Sequence, residues 1–286
     1  MDLLNLLPAE LTATVVAEWL EIGDVVRLDS SYTNQAGRAG YLSFLPSSDR
    51  AYDVPSQAYD HEETSDVVKW IMMRGVKVSN VKFTGDVDVD TFKSFMDTTG
   101  DKLIAVHFMD IASEVLMEQM MCEVVKRSRH LTELSVFECP VTTVMWPLFG
   151  RFPDLANVSL CSNRPLRLPS TDLDSPSTDL DLGQCPKLRC VSLAGSGITS
   201  HAAVVLVERA PRGNILLLSM AGAIHVSDDA IVHIARRCPN LRALGLTHMT
   251  RTGNAVVTHI AELCPDIQHL DVSYNHLNDA ALIPMI

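Results

Sequence analysis

The chain has 286 residues, of which 47% are hydrophobic and 20% are charged, and its formal net charge is −12. A chain of this length and composition can bury a large core, which excludes an intrinsically disordered protein. The excess of negative charge argues against nucleic acid or an anionic membrane surface as the main partner, because both are polyanions.

The N-terminal twenty residues read MDLLNLLPAELTATVVAEWL, with Asp2, Glu10 and Glu18 among the apolar residues. A signal peptide needs a basic first region, and a membrane-spanning helix needs about 20 largely apolar residues, so this segment fits neither. No other apolar run in the sequence approaches that length. We therefore expect a protein of the cytoplasm or the nucleus that does not contact a membrane.

Residues 7–28 read LPAELTATVVAEWLEIGDVVRL. This stretch resembles the opening of an F-box, whose pattern runs L-P-x-E-L, an apolar pair, a hydrophobic helix end, and then Asp followed by aliphatic residues. It departs from that pattern by one extra residue near Trp19 and by DSSYTNQAGR, where a valine and a tryptophan usually close the motif. The resemblance implies that a helical segment over residues 1–45 binds the small adaptor of a cullin-based SCF ubiquitin ligase. The residues that would make this contact are Leu7, Pro8, Leu11, Val15, Trp19 and Leu20.

The same segment has a second interpretation. Leu11, Val15 and Trp19 belong to an apolar stripe that is too exposed to exist alone, so it must pack against something. Capping the first unit of a repeat domain would also bury this stripe, because the ends of a solenoid need a cover with a polar outer side. Residues 46–76 are predicted to form a connector with one helix, SDVVKWIMMRG, which ends at Gly75.

From residue 77 onward the sequence repeats itself. The template L-x-x-L-x-L, with apolar residues at positions i, i+3 and i+5, begins at residues 78, 103, 131, 155, 188, 215, 241 and 267. The intervals are 24 to 28 residues, except for 33 residues between 155 and 188. That interval contains PSTDLD at 169 and again at 176, and without this seven-residue duplication it would be 26. A period near 26 lies within the range of leucine-rich repeats and away from that of ankyrin, HEAT or propeller repeats.

Each repeat is predicted to supply a short strand, whose i+3 and i+5 side chains point inward, followed by a helix. Ala230, Ile231 and Ile234 recur at helical spacing after Ser227, a candidate N-cap. A cysteine followed by proline precedes three of the templates by three residues, as in the cysteine-containing subclass of leucine-rich repeats, which this region resembles. These cysteines, expected to be small buried residues, are Cys185, Cys238 and Cys264.

The sequence therefore predicts an α/β fold: a leucine-rich-repeat solenoid over residues 77–286, with about eight repeats, parallel strands on its concave face and helices on its convex face. A single unit cannot cover its own apolar side, so neighbouring units must stack. A doubly wound α/β domain would also alternate strands with helices. It would not keep the same register eight times.

Motifs that carry chemistry are missing from the sequence. It contains no GxxxxGK[ST], GxGxxG, HExxH or GxSxG pattern, and its seven cysteines lack the paired CxxC spacing of a zinc site. Residues 85–90, GDVDVD, alternate carboxylates as a calcium loop does, but they lack its glycine and its distal glutamate. We predict that the protein is not an enzyme and uses no cofactor or metal.

A protein target is expected on the concave face, because strand alternation sends the i+2, i+4 and i+6 side chains there. The i+4 column is small and mostly polar, which would let the backbone of a partner come close. Small residues would also suit a tightly curved sheet without any partner. Phe137 is the candidate aromatic anchor. The predicted target-binding residues are Glu133, Ser135, Phe137, Ser159, Ser192, Ser219, His269 and Asp271.

These features predict a non-enzymatic protein-binding module. The resemblance to F-box proteins with leucine-rich repeats implies a substrate receptor of an SCF-type E3 ubiquitin ligase, with the adaptor at the N-terminus and the target on the solenoid. The competing functions are an interaction scaffold without a link to ubiquitin and a structural subunit of a larger assembly.

Overall fold

The computed structural model describes residue 29, the backbone of residues 52–53, and residues 64–142, 145–161, 185–249 and 252–278. The six predicted adaptor-binding residues, Leu7, Pro8, Leu11, Val15, Trp19 and Leu20, lie outside the described residues. Within the described residues, no helix is long and apolar enough to cross a membrane.

The central element is one parallel sheet whose nine strands lie side by side in chain order. The strands are β1 Tyr52–Asp53, β2 Val78–Thr84, β3 Ala105–Met109, β4 Glu133–Phe137, β5 Asn157–Cys161, β6 Cys190–Ser192, β7 Leu217–Ser219, β8 Ala243–Gly245 and β9 His269–Asp271. The eight strands β2 to β9 fall on the eight templates found in the sequence. The predicted parallel ribbon is therefore confirmed.

The register of this sheet is constant from one repeat to the next. Position i+3 of each unit pairs with position i+3 of its neighbour, as in Val191 with Leu218 and Leu218 with Leu244. Just before each strand, the N–H at position i+1 donates to the i+1 carbonyl of the preceding unit, and this N···O distance is 2.8 Å for Arg189, Leu216, Arg242 and Gln268 alike. A constant register is what stacked copies of one unit produce.

Seven α-helices of the described residues connect these strands. They are α1 Thr64–Arg74, α2 Val89–Thr99, α3 Glu114–Arg127, α4 Trp146–Phe149, α5 Ser200–Arg209, α6 Asp228–Arg237 and α7 Asn254–Leu263. Local sequence fixes where several of them begin: the side chains of Asp88, Ser113, Thr199 and Ser227 each accept a hydrogen bond from a backbone N–H of the first helical turn.

A single hydrophobic core lies between the helices and the inner side of the sheet. Along β4, the side chains of Leu134 and Val136 are buried while Glu133, Ser135 and Phe137 are not. The predicted inward residues of α6, Ala230, Ile231, Ile234 and Ala235, are buried, and so are the cysteines Cys185, Cys238 and Cys264. The core is contiguous because each unit covers the apolar side of its neighbours.

The chain leaves most strands through a residue with left-handed backbone conformation. This residue stands seven positions after the start of the template in the units that begin at 103, 131, 188, 215, 241 and 267. Its φ angle lies between 53° and 69° at Asp110, Glu138, Gly195, Gly222, His248 and Tyr274. The left-handed residue turns the chain from the sheet towards the next helix, and glycine occupies it at two of the six positions because it carries no Cβ penalty there.

The N-terminal end of the sheet contains a strand that the sequence did not predict. β1 lies in the stretch predicted to be a connector, and it pairs in parallel with β2, with Tyr52 opposite Val78. Asp29, from the N-terminal segment, is buried against α1: its Oδ2 accepts hydrogen bonds from Trp70 Nε1 at 2.7 Å and Arg74 Nε at 3.1 Å. α1, the helix predicted in the connector, is thus in direct contact with Asp29 of the N-terminal segment.

Candidate protein-binding surface

The side of the sheet that faces away from the helices is formed by positions i+2 and i+4 of each repeat, and we call it the concave face. On β5 these positions are Asn157 and Ser159, which remain partly exposed between the buried Val158 and Leu160. The alternation follows from strand geometry, since successive side chains point to opposite sides. The same arrangement recurs from β4 to β9.

A groove with a volume of about 400 Å³ crosses the concave face from β4 to β9. It brings together six of the predicted target-binding residues: Glu133, Ser159, Ser192, Ser219, His269 and Asp271. It also includes residues that the sequence analysis did not single out, chiefly the i+2 column Asn157, Cys190, Leu217 and Ala243. Their position in the template was enough to predict them as groove residues, because i+2 and i+4 lie on the same side of a strand.

Ser135 and Phe137 do not line this groove. Both lie on β4 with their side chains on the outward side, and 39% of Phe137 is exposed. Phe137 pairs with Met109 and Cys161 at the far end of the strands, beyond the point where β6 to β9 end. The candidate anchor is therefore accessible, but it stands beside the groove rather than in it.

The centre of the groove is a row of small residues. Ser159, Ser192, Ser219 and Gly245 occupy position i+4 and lie opposite one another in register. The row is tight: a Cβ atom at Gly245 would come within 3.1 Å of Ser219 Oγ. A partner that enters here meets hydroxyl groups and closely approached backbone rather than bulky side chains.

An apolar row runs beside the small residues. Cys190, Leu217 and Ala243 occupy position i+2 on consecutive strands, and Leu217 is the largest of them. Its side chain is 43% exposed, although its sequence neighbour Leu218 is only 3% exposed. An exposed leucine on a regular strand is available for contact with an apolar side chain of a partner.

The N-terminal end of the concave face carries charge. His107 lies opposite Lys82 on β2 and opposite Ser135 on β4. Burial lowers the pKa of His107, and the nearby Lys82 adds to this effect while Glu133 opposes it. Lys82 itself is only 4% exposed. This end of the face is therefore more enclosed than the groove.

Asp271 lines the C-terminal end of the groove, and an aromatic pair lies beyond the ends of the last two strands. Asp271 Oδ1 accepts a hydrogen bond from Ser273 N at 3.0 Å, and bonding to Ser273 lowers the pKa of the Asp271 carboxyl, with a smaller effect from His248. The rings of His248 and Tyr274, on adjacent units, are stacked with centroids 4.3 Å apart and planes within 5° of parallel. Both rings belong to residues with left-handed backbone, which projects them outward at the end of their strands.

The chemistry available on this surface is that of recognition. In the part of the chain that the structure describes, no group of three or more histidine, cysteine, aspartate or glutamate side chains is arranged to hold a metal ion. The groups that line the groove are hydroxyls, one thiol, the Asn157 amide, the His269 imidazole, aliphatic side chains and carboxylates at its ends. Hydrogen bonding and apolar contact are the interactions that these groups offer.

A comparison with family models agrees with the repeat in the C-terminal part of the chain. A family model described as a leucine-rich repeat matches residues 263–285. Among solved structures, the chain is similar to one in the crystal structure of the Rad7 and Elc1 complex in yeast, with 12% identity over 76% of this chain and 78% of that chain and a TM-score of 0.29. No curated protein matches. The regular parallel sheet and the repeat match together define this protein as a leucine-rich-repeat solenoid.

Proposed function

We propose that the protein is a non-enzymatic protein-binding module that holds a segment of a target protein in its concave groove and serves as the substrate receptor of an SCF-type E3 ubiquitin ligase. A cytoplasmic or nuclear location belongs to this proposal. The observation that carries it is the continuous groove from Glu133 to Asp271, in which a small polar row and an apolar row lie side by side.

The dimensions of the groove favour an extended peptide segment. Six adjacent strands at about 4.8 Å spacing give a length of roughly 24 Å across the sheet. An extended chain covers this length with about seven residues. Such a segment can place its backbone against the small row, where Ser192 and Ser219 offer hydroxyl groups, and an apolar side chain against Leu217.

The ligase part of the proposal depends on the F-box resemblance of residues 7–28. It is supported by the contact between Asp29 and α1, because an adaptor bound to the N-terminal segment would then keep a defined position relative to the groove. The same contact also suits a segment that only caps the solenoid. A binding measurement with the adaptor distinguishes an adaptor-binding segment from one that only caps the solenoid.

The target-binding proposal is tested by two matched variants. Leu217→Asp places a charge in the groove, whereas Ile224→Asp places the same charge on an equally exposed aliphatic residue of a strand-to-helix loop; the exposed fractions are 43% and 47%. Proteins crosslinked to the intact chain in native cells would be identified by mass spectrometry. We expect the target to be lost with Leu217→Asp and retained with Ile224→Asp. Equal capture by both variants would contradict the groove as the binding site.

The adaptor proposal is tested by pull-down with the full chain. Leu11→Asp combined with Val15→Asp should abolish retention of the SCF adaptor, while Met73→Asp combined with Val115→Asp, at exposed positions of the solenoid helices, should not. If the unchanged chain retains no adaptor, the ligase function is wrong. A target captured through the groove would then favour an interaction scaffold or a structural subunit.

A further inference from the structure

Charge is distributed unevenly along the solenoid. The described residues 185–249 contain seven lysines and arginines against three acidic residues, in a chain whose net charge is −12. Most of these basic residues lie between the last turn of a helix and the start of the next strand. All strands of a parallel sheet start at the same edge, so the basic residues of successive units come together there.

Four arginines define this basic edge: Arg209, Arg212, Arg236 and Arg242. Arg209 ends α5 and Arg236 lies in the last turn of α6, where a positive charge interacts favourably with the helix dipole. Arg212 lies in the turn after α5, and Arg242 directly precedes β8. Interaction with a helix dipole therefore explains the positions of Arg209 and Arg236 but not those of Arg212 and Arg242.

The basic residues beside this edge are already engaged. Lys187 Nζ lies 2.6 Å from Asp154 Oδ1, and Arg237 Nη2 donates to the carbonyl oxygens of Glu208 at 2.9 Å and Ala210 at 3.1 Å. In contrast, among the residues that the structure describes, the guanidinium groups of the basic edge form no salt bridge or side-chain hydrogen bond, and Arg212, Arg236 and Arg242 are exposed. Among the described residues, three exposed guanidinium groups on successive units thus remain available for charge-assisted bonds, those of Arg212, Arg236 and Arg242.

The turns that carry these arginines are fixed by a ladder of asparagine side chains. Asn214 Nδ2 donates to Pro186 O at 2.8 Å, and Asn240 Nδ2 donates to Gly213 O at 2.9 Å. Gly213 has a φ of 70°, and a Cβ atom at this position would come within 2.9 Å of Asn240 Nδ2. A pre-organised surface loses less entropy when it binds, so these contacts favour recognition by the arginines held on the turns.

We propose that the basic edge is a second docking surface, separate from the groove, which binds a short acidic segment of a partner protein. Arginine guanidinium groups pair with carboxylates in bidentate geometry. The surrounding negative charge of the chain steers an acidic segment to this edge and away from the rest of the surface. The partner is recognised by closely spaced aspartate or glutamate side chains.

The boundaries of the edge favour a peptide over a nucleic acid. Asp154 lies shortly before β5, and the exposed Glu262 and Asp266 lie between β8 and β9. The basic stretch from β6 to β8 therefore spans only three strands, or about 10 Å at the usual strand spacing. A continuous phosphate backbone would reach these carboxylates on both sides, whereas a short acidic segment would meet only Glu208, whose carboxylate lies 2.8 Å from His233 Nε2.

The experiment measures fluorescence anisotropy of a labelled peptide with six glutamates in a Gly/Ser context, compared with the same peptide carrying glutamines. The variant Arg212→Glu with Arg242→Glu is paired with Lys93→Glu and Lys102→Glu, which makes the same change in net charge at exposed positions elsewhere. We expect only the glutamate peptide to bind, and its affinity to fall about tenfold or more in the arginine variant while the lysine variant stays close to the unchanged chain.

Several outcomes would overturn the proposal: no binding by the unchanged chain, or an equal loss in both charge-reversed variants. Tighter binding of a single-stranded oligonucleotide of equal charge, lost with the same two arginines, would assign the edge to nucleic acid instead. Arg212→Gln with Arg242→Gln repeats the test without adding negative charge, and circular dichroism verifies folding of every variant.

Discussion

Trp70 and Asp29 are joined by a hydrogen bond of 2.7 Å from the indole Nε1 to the carboxylate Oδ2, across 41 residues of sequence. Arg74 Nη2 lies 3.1 Å from the same oxygen, and the Asp29 side chain is 1% exposed. A carboxylate can be buried to this degree because charged and neutral donors replace its water. This pair couples Asp29 of the N-terminal segment to α1, the helix that precedes the first template strand.

Asp29→Ala should lower the free energy of unfolding by about 2–4 kcal/mol, because it leaves the donors of Trp70 and Arg74 without their acceptor. Urea denaturation followed by tryptophan fluorescence measures the change. Asp66→Ala serves as the control: Asp66 is 87% exposed, lies 4.0 Å from Lys69, and should contribute less than about 0.5 kcal/mol. A small effect of Asp29→Ala would show that the N-terminal segment adds little to the stability of the first unit.

Leu217 and Leu218 provide a direct test of the inward and outward assignment, because the same side chain occurs at adjacent positions of β7. Leu218→Ala should destabilise the fold by about 2–5 kcal/mol, since it removes a buried side chain from the core. Leu217→Ala should cost less than about 1 kcal/mol, because this leucine faces the groove. Denaturant unfolding of the two variants measures both values. Equal costs would be incompatible with the alternation of the strand.

The seven cysteines report on the core and on the groove in one experiment. Burial raises the pKa of Cys238 to about 12 and that of Cys264 to about 11, so both thiols stay protonated at neutral pH. We expect maleimide to leave them unmodified in the folded protein while it labels the partly exposed Cys122, Cys161 and Cys190, with Cys190 slower because burial raises the pKa of its thiol. Mass spectrometry of peptides from the labelled protein identifies the modified sites.

The same labelling tests groove occupancy once a target is known. A bound target should protect Cys190, which lines the groove, and leave Cys122 on α3 reactive. Protection of both thiols or of neither would place the target elsewhere.

His107 should make stability depend on pH. Its folded-state pKa is lowered by burial, so as the pH falls through about 6.5 the unfolded chain takes up a proton that the folded chain does not. Wild-type stability should therefore decrease below about pH 6.5, with a slope of at most about 1.4 kcal/mol per pH unit from this one group. His107→Gln should show a shallower decrease than the wild type, because it removes this group. The measurement is the urea concentration at the denaturation midpoint between about pH 7.5 and 5.5, a range centred on the ordinary pKa of histidine.

The strands were predictable because every one from β2 to β9 carries apolar residues at the same three template positions. Leu188, Val191 and Leu193, for example, are all buried. β1 could not be found in this way: it has two residues, Tyr52 and Asp53, without the template, and only pairing with β2 makes it a strand. Pairing at the end of a sheet is a tertiary effect that local pattern does not encode.

The candidate site was predictable in part. Alternation placed Ser159, Ser192 and Ser219 in one row, and the structure keeps them in register. Phe137 was predicted as an anchor because it is aromatic and not because of its position in the strand. It lies beyond the groove because β6 to β9 are shorter than β4. The basic edge was not found in the sequence, since Arg212 and Arg242 are 30 residues apart there and come to one edge only when the units stack.

The strands β5 and β6 pair Asn157 with Cys190 and Ser159 with Ser192, as closely as any other neighbours, although the chain between their templates is longer by the repeated PSTDLD. What the solenoid holds constant is therefore the order of its strands and not the distance along the chain between them. Length added where a strand has ended leaves the stack intact. The groove can therefore keep its register while the chain between two of its strands differs in length.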